Sequence, residues 1–150
     1  IMEAMHSTKP GVYEYQLDAA AKYIFHLNGA QGEGYSSIIG GGTNAWMGHY
    51  FRKTDKLVSG DLVLMDYAPD YRYYTSDVTR MWPVNGKFTD AQQKLSNYII
   101  AYRDALFRYI RPWITSIGTR FGCKRYGKVS CGQNFCKPRP FKGSESWYKI

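Results

Sequence analysis

The chain has 150 residues, with 20 Lys+Arg against 12 Asp+Glu and a formal net charge of +8. That length suits one domain with a sizeable core. No apolar run approaches the ~18 residues that cross a bilayer and no charged-then-apolar leader is visible, so a helical membrane span is excluded and a cytoplasmic location is the expectation. Because the first residue is Ile1 rather than Met, the chain is expected to be a piece of something longer.

The charge is unevenly spread. Residues 1–110 carry 11 basic and 11 acidic side chains, whereas residues 111–150 carry nine basic ones against a single acid, Glu145. All three cysteines, Cys123, Cys131 and Cys136, lie in that last stretch. Such asymmetry points either to a basic tail that touches nucleic acid or to a segment unrelated to the rest.

Taken in order, Lys9-Pro10-Gly11 signals a turn before a helix. Leu17, Ala20, Ala21, Ile24, Phe25 and Asn28 then follow helical spacing, with Gly29 as the stop. His6 and His26, near or on this helix, read as surface or satisfied core residues rather than ligands. The stretch GEGYSSIIGGG at 32–42 lacks a phosphate-binding Lys and a G-x-G-x-x-G frame; it reads as a strand over 35–39 ending in a tight glycine turn. His49 follows in an HY context, 17 residues before Asp66. It is either a half-exposed strand His or a functional imidazole able to exchange protons near neutral pH.

Two apolar-rich runs, 62–67 and 73–82, flank a short polar turn, the pattern of an antiparallel hairpin. With the turn centred on Tyr71-Arg72, Asp66 lies directly opposite Asp77 on one sheet face. Two carboxylates ~5 Å apart repel by roughly 3 kcal/mol at an effective dielectric of 20, which a divalent cation between them would reverse. The alternative is a different register, with both side chains facing water at a sheet edge. Tyr-Arg is not a favoured two-residue turn, and Pro69 limits how far the first strand pairs. Thr79 shares the face of Asp77, and Arg80 either pairs with a carboxylate or is solvated. Thr89-Asp90-Ala91-Gln92 is a capping-box pattern. Leu95, Ile99, Tyr102, Leu106 and Ile110 then predict one buried face of a long amphipathic helix, which Arg111-Pro112 ends.

The segments GDLVLMD (60–66), SDVTR (76–80) and PVNGKFT (83–89), with KPGVYEYQLDA and HYFRKTDKL before them, resemble the pita-bread metallopeptidases. Within these the likeness is to the Xaa-Pro aminopeptidase and prolidase branch, over residues 1–110. The resemblance implies an α+β, pita-bread (creatinase/aminopeptidase-like) fold, present as its N-terminal half only. That half is a curved antiparallel sheet with long helices on one face. Residues 1–112 would be this half of the catalytic domain, and 113–150 a divergent tail. The resemblance further implies that Asp66 and Asp77 are metal ligands and that His49 contacts substrate and steadies the reaction intermediate. Thr79 would support the metal site. Two divalent ions are implied, manganese first, with cobalt or zinc as alternatives. The implied partner is a peptide with proline at its second position, with a homo-oligomer possible and no membrane.

Two departures stand out. Met81 replaces a more usual Thr, and Trp113 stands where the family continues with Gly. The family's remaining ligands, a His and two Glu, have no counterpart after Asp77, since His49 is the last His in the chain. The expectation is an Xaa-Pro hydrolase when complete and little activity from this chain alone. The alternatives are a noncatalytic binding module of the same fold, or nucleic-acid binding by the tail. The tail's C-x7-C-x4-C spacing is not a zinc pattern.

Overall fold

The computed structural model describes residues 1–114. The basic, cysteine-containing tail beyond that point, and with it the expected contact with nucleic acid, lies outside the described residues. The chain divides into two compact units, Ile1–Thr89 and Asp90 onward.

The first unit begins with α1 (Met2–Ser7) and α2 (Glu14–Leu27). Gly11 takes a left-handed φ of 88° in the turn between them. α2 ends where its glycine says it should. Gly29 adopts φ 86°, its N–H donates to His26 and that of Ala30 to Phe25, which is the Schellman arrangement that closes the last carbonyls. Leu17, Ala21 and Phe25 bury one face of this helix. His6 and His26 are exposed.

Two three-stranded antiparallel sheets follow. One comprises β2 (Ile38–Gly41), β3 (Leu62–Tyr67) and β6 (Val78–Pro83), in the order β2-β3-β6. The other comprises β1 (Gly32–Glu33), β4 (Pro69–Tyr71) and β5 (Tyr74–Thr75), in the order β1-β4-β5. The strand expected over 35–39 starts later, at Ile38, because Ser37 is turned inward to bond Asp18 and Lys53. β2 runs into a 3-10 turn, Gly42–Trp46. A Cβ on Gly40 would lie 2.8–2.9 Å from the backbone of Asn44 and Ala45, so the turn packs back onto the strand only because that residue is glycine.

The expected hairpin forms, with two corrections. Its strands do not pair along their whole length: β3 stops at Tyr67, and beyond Ala68 the chain changes sheets at Pro69, whose ring cannot donate to a ladder. The turn is also one residue later than expected. Tyr71 pairs with Tyr74, so Arg72 and Tyr73 are the central residues, with φ of 52° and 65°. Positive φ at both positions is the requirement of a type I′ turn, normally met by Asn or Gly. Arg72 is held there by donating its N–H to Gln31 (2.8 Å) and by laying its guanidinium over the Tyr71 ring. In consequence Asp66 lies opposite Thr79, not Asp77.

β3 alternates strictly. Val63, Met65 and Tyr67 are buried, while Leu62, Leu64 and Asp66 face the other way. The core therefore joins that face of β3 to Ile39, Leu57, Trp82, Val84 and the inward face of α2. Within this core sits a fully buried carboxylate, Glu14. It accepts from the N–H of Gly41 (2.8 Å) and Asp55 (3.2 Å), from Asn44 Nδ2 (3.0 Å) and from the Tyr50 hydroxyl (2.9 Å). A buried charge is tolerated only when its lone pairs are met in this way.

In the second unit α3 (Asp90–Tyr109) starts directly after Thr89 and stops before Arg111-Pro112, as expected. Its apolar stripe is not buried, however. Leu95 (47 %), Ile99 (55 %), Tyr102 (44 %) and Ile110 (59 %) are exposed, and Ala105 is the residue that is covered. A helical apolar period marks a face fit for burial, but burial needs a partner surface. No helix among the described residues is long and apolar enough to cross a membrane.

Glu14→Ala removes the acceptor shared by Gly41, Asp55, Asn44 and Tyr50 and is expected to cost about 3 kcal/mol, read as a lower urea midpoint. The parent midpoint should also fall as pH drops below the ordinary aspartate range. Burial would raise the Asp18 pKa, but the bonds from Ser37, Lys53 and Lys22 outweigh it and hold the carboxyl below its ordinary value. A depressed carboxyl pKa stabilises the fold above the unfolded value and loses that contribution as pH falls through the folded one. Asp18→Asn should flatten this acid limb in urea titrations run at a series of pH values.

Candidate metal centre

Asp66 sits in the middle of its sheet, paired with Ile38 on one side and Thr79 on the other. Opposed residues of antiparallel strands share a face, so Ile38, Asp66 and Thr79 line the side of β3 away from the core. Asp77 lies two residues before Thr79 and one before β6 begins. A displacement of two preserves the face. The one-residue error in the turn therefore moved the direct partner of Asp66 but left Asp77 on the same side, as its diagonal neighbour.

The two carboxylates are brought together by a residue the sequence reading had placed only in a strand. The Tyr35 hydroxyl reaches Asp66 Oδ1 at 2.5 Å and Asp77 Oδ1 at 3.1 Å. Desolvation first, then the hydrogen bonds and charges of Asp66 and Asp77, push the Tyr35 phenol well above its ordinary range. It stays protonated at neutral pH and acts as a donor. Its position is set from both ends. Gly34 donates its N–H to the Ala68 carbonyl (2.8 Å), and Ser37 is fully buried against Asp18 and Lys53. Only local spacing was available to find Tyr35 in the sequence, and spacing does not reveal a partner 31 or 42 residues away.

Behind this bend lies a charged network that was also not foreseen. Lys53, buried and at φ 57°, contacts Asp18 (3.0 Å) and Ser37 (2.9 Å). Lys22 bridges Asp18 (3.1 Å) and Glu33 (3.2 Å). With its charges paired, the network ties α2 to the segment that carries Tyr35.

His49 is exposed, in the left-handed region at φ 56°, on the loop that follows the 3-10 turn. Trp46 (82 %), Met47 (55 %) and Phe51 (73 %) are exposed beside it in sequence. Arg80 donates to the Thr79 carbonyl rather than to a carboxylate. Among the described residues no group of three or more His, Cys, Asp or Glu side chains is arranged to hold a metal ion. The donor set is thus two hard carboxylate oxygens, chemistry that fits a hard divalent cation but supplies only part of a coordination sphere.

Comparison with known proteins gives the family of the chain. The profile of Metallopeptidase family M24 matches residues 1–119. The chain is 37 % identical over 109 residues to the Xaa-Pro aminopeptidase of Escherichia coli (strain K12), covering 73 % of this chain and 25 % of that protein. It is 34 % identical over 115 residues to the mitochondrial intermediate cleaving peptidase 55 of Arabidopsis thaliana, covering 77 % and 23 %. Among solved structures, a variant of Escherichia coli aminopeptidase P in complex with substrate superposes with a TM-score of 0.79 at 32 % identity, over 85 % of this chain and 29 % of that one. The zinc-substituted enzyme in complex with product gives 0.78 at 33 % identity, over 82 % and 28 %. The chain thus spans about a quarter of the length of the curated relatives it matches. Its α+β architecture of antiparallel sheets is the corresponding part of the pita-bread fold, and the chain belongs to the metallopeptidase family M24.

Proposed function

We propose that residues 1–112 of this chain are the N-terminal half of the catalytic domain of a proline-specific metallo-aminopeptidase or dipeptidase. The complete protein would hydrolyse the bond preceding a proline at the second position of a peptide. The observation that carries this reading is the convergence of Asp66 and Asp77 on one hydroxyl, within a segment similar in sequence to Xaa-Pro aminopeptidases.

In this reading Asp66 and Asp77 hold two divalent ions, manganese first, with cobalt or zinc as alternatives. When bound, such ions supply Lewis-acid polarisation and an activated water for hydrolysis. Asp66, anchored in a central strand, orients the inner side of the cradle; Asp77, exposed at the start of β6, closes its outer side. Thr79, opposite Asp66, supports that carboxylate. The exposed loop bearing His49, with Trp46, Met47 and Phe51 near it in sequence, would receive the peptide. There an imidazole can donate to negative charge that develops on the substrate carbonyl.

Two carboxylates are a weak cradle on their own. The missing donors and the proton-transferring group would come from chain beyond this segment, and the uncovered apolar stripe of α3 supports that. A noncatalytic binding module of the same fold is the second reading, favoured by the absence of a three-ligand cluster among the described residues.

Calorimetry at neutral pH should show weak Mn2+ binding, on the order of 10⁻⁴ M or poorer, lost in Asp77→Ala. No heat above dilution would favour the binding module. The isolated chain is expected to release no proline-containing product from an Xaa-Pro dipeptide. Robust turnover that disappears in Asp77→Ala would overturn the statement that this segment is insufficient by itself.

A further inference from the structure

Tyr35 carries one hydroxyl proton, yet its oxygen lies within hydrogen-bond distance of two carboxylates. One proton shared between two acceptors cannot bond both at full strength. The distances are unequal, 2.5 Å to Asp66 and 3.1 Å to Asp77, and a short bond to an ionised acceptor is the strong one.

The two acidic residues also differ in how they are held. Asp66 belongs to a strand paired on both sides, and its side chain is half-buried. Asp77 is exposed and stands in the link between β5 and β6, outside both strands. Tyr35 itself is braced. The Gly34 N–H is tied to Ala68, and a Cβ on Gly34 would lie 2.5 Å from Thr75 Cγ2, so β5 packs directly on the bend. Ser37, two residues on, is locked into the Asp18–Lys53 network. Asp77 is held by its flanks rather than by a ladder of its own: Ser76 before it donates to Pro69 (3.3 Å) and Val78 after it pairs with Tyr67.

We propose that Tyr35 is a positioning residue that makes the cradle asymmetric. Its hydroxyl fixes Asp66 through the short bond and holds Asp77 through the longer, weaker one, so Asp66 is the more firmly set of the two carboxylates. This rests on the ion-holding reading for its purpose, but the tie between Tyr35 and Asp66 can be tested without any ion. Side chains that orient metal ligands typically change affinity by 10–100-fold when removed. The tyrosine ring is not needed for this role, only its hydroxyl, so Tyr35→Phe isolates it.

The test uses the full 150-residue chain and the variants Tyr35→Phe, Asp66→Ala, Asp77→Ala and both double variants with Tyr35→Phe. Thermal midpoints are measured with chelator present. Tyr35→Phe should lower the parent midpoint by on the order of 4 °C. In the Asp66→Ala background that loss should nearly vanish, and in the Asp77→Ala background most of it should persist. A role limited to ring packing would give no loss in any background, and a hydroxyl bonded elsewhere would give equal losses in all three; either would overturn the proposal. So would a larger coupling to Asp77 than to Asp66. Mn2+ calorimetry then reads the consequence: Tyr35→Phe should bind at least tenfold more weakly, and unchanged or tighter binding would count against it. A parent chain that takes no Mn2+ would sink the ion-holding reading, while the chelator series would still decide the Tyr35–Asp66 tie.

Discussion

The buried carboxylate of Glu14 collects hydrogen bonds from Gly41, Asn44, Tyr50 and Asp55, so a single side chain at the start of α2 pins four points of the chain. Gly41 ends β2, Asn44 lies in the 3-10 turn, and Tyr50 and Asp55 bracket the loop that follows His49. With these points held, β2 can align beside β3, and the loop bearing His49 leaves the core from a defined place. A charge in this position is stable only while every one of those donors is present, which makes the first half of the unit cooperative.

From that anchor the site follows by strand geometry. β3 sends Val63, Met65 and Tyr67 into the core and leaves Asp66 on the opposite face. Asp77 reaches the same face from the next strand, and Tyr35 reaches it from the bend before β2. Three separate segments thus converge on one patch, and each is braced by something other than the patch: the core beneath β3, the Lys53–Asp18–Ser37 network beneath the bend, and the positive-φ turn at Arg72-Tyr73 between β4 and β5. Backbone conformations of that kind cost on the order of 1–3 kcal/mol each in residues with a side chain. They persist where surrounding contacts over-determine them.

The second unit follows a different logic. α3 has the ends its sequence predicts, yet most of its apolar stripe is in contact with water. The helix is specified locally by its cap, its period and its following proline. Its burial is a property of whatever lies against it. The matched relatives are about three times the length of this chain, and the stripe is the sort of surface that a larger domain covers.

Much of the architecture was legible from residue order. Gly29 marked the end of α2, Pro69 the break after β3, and Thr89 the start of α3. The shared face of Asp66, Asp77 and Thr79 was also legible, because a strand's alternation is a local property and survives an error of one residue in the turn. The exact partner of Asp66 was not. It depended on a turn formed by Arg and Tyr, neither of which advertises positive φ. The Glu14 cluster, the buried Lys53 and the Tyr35 bridge were invisible for a related reason. A side-chain hydrogen bond between residues 30 to 42 positions apart leaves no period in the sequence. Only the packing of the sheets decided which oxygen would meet which proton.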